Sequence, residues 1–254
     1  MVRDLTQEIA ETDDFLPFWY RGTRDEFFSA GAGMDDGRWK MDDGRGNAQE
    51  EEKCSKICRF ERNNVTLPPK TKDSYLMNVR FDKTKALNAL LYVANRVKRK
   101  DFHKIFKIIY FAERQHLADW GKPITGDTYI AMEAGPVPSR MYDMLKMVRG
   151  DSYLPDTEGL AEYFKVDNWM YLIPQKDADL NKLTKNETDA LDEAINKYAT
   201  LSYDEIKEKS HDTAWRSTAR DFSIKWEDIA REAGLDAEEI ECVNAFSSLE
   251  AALS

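Results

Sequence analysis

From residue 79 onward, apolar positions recur with helical spacing. The run "DKTKALNALLYVANRV" places Leu87, Leu90, Leu91, Ala94 and Val97 on one face, which predicts an amphipathic helix over 84–97. After the break "RKD", the segment "FHKIFKIIYFAERQHLADWG" carries Phe102, Ile105, Phe106, Ile109 and Trp120 as an apolar stripe, widened by Ile108, Phe111 and Leu117. It predicts a second core helix over 102–118, with Gly121 as its stop.

The next stretch, "GDTYIAMEAGPVPSRMYDML", changes period. Gly126 permits a turn, "TYIAME" alternates like a short strand, and Gly135 with Pro136 forces a second turn. Pro138 or Ser139 then opens a helix with Met141, Tyr142, Leu145 and Val148 as its apolar face and Gly150 as its stop. Further on, "EYFKVDNWMYLIP" reads as a hairpin turning at Asp167 and Asn168. Thr184 with Glu187, Ser202 with Glu205, and Asp236 with Glu239 have capping-box spacing, and Gly234 ends the helix through "WEDIAREA". The fold class expected is mainly α, a compact multi-helix domain over 79–250 with a small β-hairpin element.

Residues 1–78 read differently. Half of the chain's 12 glycines fall within 22–48, around the echo "MDDGRWK" and "MDDGRGN". The aromatic cluster Phe15, Phe18, Trp19, Tyr20, Phe27 and Phe28 precedes them, and Pro68 with Pro69 marks a linker. Such composition predicts a loosely ordered N-terminal extension, partly disordered or partner-binding.

Charge and cysteine usage narrow the function classes. The net charge of -10 argues against a protein that coats nucleic acid or an anionic membrane. It is uneven, at four net negative charges over 1–78, six net positive over 79–130 and twelve net negative over 131–254. Three cysteines, Cys54, Cys58 and Cys242, form no even disulfide framework, and no long apolar run or secretory pattern is present, which points to the cytoplasm.

Candidate chemistry is sparse. There is no G-x-S-x-G elbow, and Ser139 sits where serine ordinarily caps a helix. His103 and His116 are thirteen residues apart and His211 is remote, so no H-E-x-x-H pair exists. Cys54 and Cys58 lack two further ligands for tetrahedral zinc, and Asp35, Asp36, Asp42 and Asp43 read as solvated turn residues. No phosphate-cradling glycine loop occurs. The expectation is no enzyme, no cofactor and no metal. The basic cluster around the break between the two helices supplies a phosphate-contact patch of Lys98, Arg99, Lys100 and Lys104.

The order of elements resembles a known family. The stretch from Lys107 to Leu145, with its G-D-x-Y-x-A-x-x-x-G-P-V run, and the later S-H-D-x-A-W block are similar to the Panacea domain of SocA-like antitoxins, over roughly residues 79–245. The resemblance implies a mainly α-helical, non-enzymatic domain of bacteria, phages and prophages, with a role in phage defence. Such a domain is usually encoded beside a protein toxin that it binds and neutralises. Its toxins have unrelated chemistries, so the resemblance names no particular toxin. The contact is expected on the 126–137 segment and adjoining helices, at Asp127, Tyr129, Ala131, Glu133, Pro136, Val137, Arg140 and Tyr142. Trp169 is a further aromatic of the type that dominates interfaces. Two other readings stand beside it: a DNA-binding autoregulator of its own operon, and an adaptor that hands a bound toxin to a protease. Homo-oligomerisation is left open.

Overall fold

The computed structural model describes residues 77, 79–153, 155–156 and 159–253. Apart from Met77, the N-terminal extension of residues 1–78 lies outside these residues, with its aromatic cluster, glycine-rich echo and the Cys54 and Cys58 pair.

Eight α-helices and two two-stranded sheets make up the described residues. In chain order they are α1 (Lys83–Arg96), α2 (Phe102–Trp120), β1 (Tyr129–Met132), β2 (Gly135–Pro138) and α3 (Ser139–Arg149). There follow β3 (Phe164–Asp167), β4 (Tyr171–Pro174), α4 (Lys185–Tyr198), α5 (Tyr203–Ser210), α6 (Thr213–Arg216), α7 (Trp226–Glu232) and α8 (Ala237–Leu253). The protein is mainly α, with two small hairpins where one β element was anticipated.

Helix α2 is the axis of the core. Asp101 starts it by accepting from Lys104 N–H at 3.0 Å, and Gly121 stops it at φ +67°. Between them Phe102, Ile105, Phe106, Ile108, Ile109, Tyr110, Phe111 and Leu117 are all buried. A helix that is apolar around most of its circumference must be enclosed. Accordingly α1, α4, α5, α7 and β2 all pack against it. The three reciprocal caps read from the sequence form: Thr184 with Glu187, Ser202 with Glu205, and Asp236 with Glu239.

Strands β1 and β2 are antiparallel, with Tyr129 opposite Pro138 and Met132 opposite Gly135. The outer edge of β1 is covered by residues 221–224: Ala131 N–H donates to Phe222 O at 2.9 Å and Ile224 N–H to Tyr129 O at 2.8 Å. Strands β3 and β4 pair from Phe164 with Pro174 to Asp167 with Tyr171. The α1–α2 connection runs beside β4, where Leu172 N–H donates to Lys100 O and Phe102 N–H to Met170 O, each at 2.9 Å.

The β3–β4 turn falls one residue later than the sequence suggests. Met170 N–H closes it onto Asp167 O at 3.2 Å, and its central residues Asn168 (φ +44°) and Trp169 (φ +60°) have the signs of a type I′ turn. Asn-Gly is the favoured pair there. A tryptophan in this region costs about 1–2 kcal/mol, partly offset by Arg149, whose guanidinium lies 5.2 Å from the ring centroid; such a contact is worth about 0.5–1 kcal/mol. Trp169→Gly should therefore leave stability unchanged or raise it by up to about 1 kcal/mol in urea unfolding. A loss of about 2 kcal/mol or more would mean that the ring holds the hairpin in place.

Candidate interaction surface

The stretches that carry the family resemblance meet in space. Lys107, in the middle of α2 and wholly buried, donates its amine to Pro136 O at 2.6 Å. Gly135 makes this approach feasible: a Cβ there would stand 2.9 Å from Lys107 Nζ and collide with Ser210 Oγ. Its φ of +99° also suits glycine. One turn earlier, His103 Nε2 lies 3.2 Å from Ala134 O and its ring stacks on Tyr203. On the other side of the turn, His211 stacks on Trp215 at 3.7 Å, and Trp215 Nε1–H donates to Met132 O at 2.8 Å.

Burial holds the Lys107 amine well below its ordinary range, against the pull of Asp212. Burial and the neighbouring Lys107 pull His103 down to about 3 and lower His211 as well. Both imidazoles are thus neutral at physiological pH, which limits charge repulsion around the buried amine.

Three carboxylates complete the frame. Glu113, fully buried, accepts from Ile124 N–H, Thr125 N–H and the Thr125 hydroxyl, and so pins the α2–β1 connection. Asp127 accepts from Arg140 N–H at 3.0 Å and Met141 N–H at 2.9 Å, serving as a remote cap for α3. Asp212 accepts from Tyr110 Oη–H at 2.7 Å, Arg114 Nη1–H at 3.0 Å and Trp215 N–H at 2.9 Å. Here α2 is tied to the start of α6. The remaining histidine of α2, His116, is buried with Nδ1 2.7 Å from Lys122 O. Ser139 opens α3 as its first residue, with Pro138 at the cap position.

The expected contact residues divide in two. Asp127, Tyr129, Ala131 and Pro136 are buried, which takes their side chains out of a partner's reach. Asp127 is committed to its cap, and Tyr129 packs edge-on against Tyr110 and Trp226. Glu133, Val137, Arg140 and Tyr142 reach the surface to different extents. Glu133 pairs with Arg220 at 2.6 Å. The expected phosphate patch also loses a member, because Lys104 is buried, donating to Ala199 O at 3.0 Å and to Leu201 O. Lys98 and Arg99 are exposed and Lys100 is half-buried.

What faces outward is aromatic and basic. Arg149 sits between the rings of Tyr142 (5.9 Å) and Trp169 (5.2 Å), is paired with Asp151, and donates Nη1–H to Trp169 O at 2.9 Å. Trp169 is thereby presented at the hairpin tip with 58% of its surface exposed. Phe222, beside β1, is 68% exposed. No periodicity or motif singles out Phe222; its neighbour Asp221, at φ +65°, turns the chain onto β1.

Fold and site together define a multi-helix domain with a short hairpin braced from beneath by ionisable side chains. Residues 105–216 match the family model described as Antitoxin SocA-like, Panacea domain. Residues 105–216 are thus similar to the Panacea domain of SocA-like antitoxins. The match covers somewhat less than half of the chain and spans every residue of the brace from Lys107 to Trp215. No curated protein and no solved structure matches the chain. Among the described residues, no helix is long and apolar enough to cross a membrane.

Burial pushes the Glu113 carboxyl up to about 7 and that of Asp127 up to about 6, in each case against the backbone N–H groups that favour the anion. The folded chain therefore holds a proton on Glu113 between its ordinary value of 4.5 and about 7. That contribution to stability is complete below 4.5 and is lost as pH rises through 7. Relative to Glu113→Gln, the wild type should lose on the order of 3 kcal/mol between the two ends of this window. Urea unfolding of both proteins across the window checks it; parallel stability curves would refute it.

Proposed function

We propose that this chain neutralises a protein toxin by binding it directly and stoichiometrically, and that it catalyses no reaction of its own. The family supports the antitoxin role. The observation that carries the mode of action is how the reactive side chains are used. Lys107, Glu113, Asp127 and Asp212 all face inward and hold backbone or side-chain donors and acceptors of the fold itself. Aromatic and charged groups of the kind that anchor interfaces lie on the outside. Of the expected contact residues, Glu133, Val137, Arg140 and Tyr142 are the ones we assign to that surface, extended through Arg149 to Trp169.

Co-expression tests this reading. The product of the adjoining gene is expected to arrest growth of a bacterial host when expressed alone and to be silenced by this chain. The two proteins should co-purify as a complex of fixed stoichiometry. A product that is harmless alone, or that arrests growth despite this chain, would refute the proposal.

A further inference from the structure

A cleft of about 410 Å³ opens between the α1–α2 connection and β4, lined by Lys98, Arg99, Lys100, Asp167, Tyr171 and Ile173. Its walls are held together. The backbone bonds from Leu172 N–H to Lys100 O and from Phe102 N–H to Met170 O join the basic segment to the hairpin. Arg99 is paired with Asp101, Nε to Oδ2 at 2.7 Å, whereas no carboxylate of the described residues pairs with Lys98 or Lys100. Two cations without carboxylate partners among the described residues thus line a cleft with Tyr171, Ile173 and Asp167, in a chain whose net charge is -10.

The hairpin tip adds a second, independent observation. Trp169 occupies a positive-φ position that glycine would fill without strain, yet its ring is exposed and its carbonyl is held by Arg149. Backbone strain kept at an exposed aromatic points to a use for that ring outside the fold.

We propose that this cleft, together with the exposed Trp169 at the tip of the hairpin that supplies its wall, receives an acidic segment carrying an apolar or aromatic residue, contributed by the protein that this antitoxin neutralises. The proposal rests on the function given above and names the chemistry of its partner. Lysines without carboxylate partners among the described residues and an exposed aromatic together fit carboxylates flanking an apolar anchor, the pairing that sets both steering and hot-spot affinity. A nucleic-acid backbone fits less well. A duplex binder draws on about 6–10 phosphate contacts, whereas this cleft offers two such cations.

Selection of random displayed peptides against the immobilised full-length chain at low ionic strength tests the chemistry without the toxin. Enriched peptides should be acidic with at least one aromatic or large aliphatic residue. Their fluorescein-labelled forms should bind, by anisotropy, about tenfold more weakly to Lys98→Glu/Lys100→Glu and to Trp169→Gly, and more weakly as salt is added. Thermal unfolding of each variant verifies that it is folded, which matters most for the half-buried Lys100. Peptides that are not acidic, or that bind these variants as tightly as the wild type, overturn the proposal. So does labelled duplex DNA that binds the wild type and Trp169→Gly alike but not the charge-reversed variant. Growth rescue separates the two readings. If the wild type fails to rescue, the antitoxin function falls; if the wild type and both variants rescue equally, the cleft falls and the function stands.

Discussion

An amine buried at the centre of the main helix, donated to one carbonyl of a tight hairpin, is the constraint around which the domain is arranged. An ammonium in an apolar interior loses hydration worth several kcal/mol, at about that much per ion. Lys107 is tolerated because its proton affinity falls well below the ordinary lysine range and because its environment answers part of that loss. Pro136 O accepts from it, Asp212 lies near enough to favour its charge, and the flanking imidazoles of His103 and His211 are kept neutral. Each of these requires another element in its place. Pro136 comes within reach only because Gly135 has no side chain, and Asp212 is positioned by its bonds to Tyr110, Arg114 and the start of α6. Central helix, hairpin and the 210–215 block are therefore one cooperative unit.

Much of the fold was legible because it is written locally. Both core helices, the turns at Gly121, Gly126, Gly135 and Gly150, and three reciprocal caps follow from periodicity, positive-φ glycines and side chains three residues apart. The site was less so. The cluster from Arg96 to Lys107 reads as a basic surface, but Lys104 and Lys107 lie on a helix that is apolar on nearly every side. Once such a helix is enclosed, charged residues on it are enclosed with it, and their partners come from residues 29 to 97 positions away. No spacing rule within the segment encodes a pairing across that distance.

Asp127 and Tyr129 show the same limit from the strand side. An acidic residue and a tyrosine beside a turn have the composition of a contact loop, and alternation along "TYIAME" says only that one face is buried. Which face is decided elsewhere: the 221–224 segment covers β1, Trp226 packs on Tyr129, and the free N–H groups at the start of α3 draw in Asp127. For Trp169 the difficulty is reversed. The sequence marks it as an interface type, but the positive φ that sets it apart appears only when the turn closes one residue later than its composition suggests.

These placements separate what specifies the fold from what meets a partner. Lys107, Glu113, Asp127, Gly135, Asp212 and Trp215 are coupled through shared hydrogen bonds or close contacts, so a change at one is felt by the others. The side chains of Glu133, Lys98 and Trp169 stand outside that network; their ties are a surface ion pair, a contact to one neighbouring guanidinium, or solvent. Surface groups of this kind contribute little to stability, with exposed ion pairs worth about 0–1 kcal/mol. The outer set can therefore be exchanged at small thermodynamic cost while the inner brace keeps the hairpin and the cleft wall in position. A scaffold divided in this way can retain one fold while its recognised partner changes, because the residues that select the partner are not those that hold the chain together.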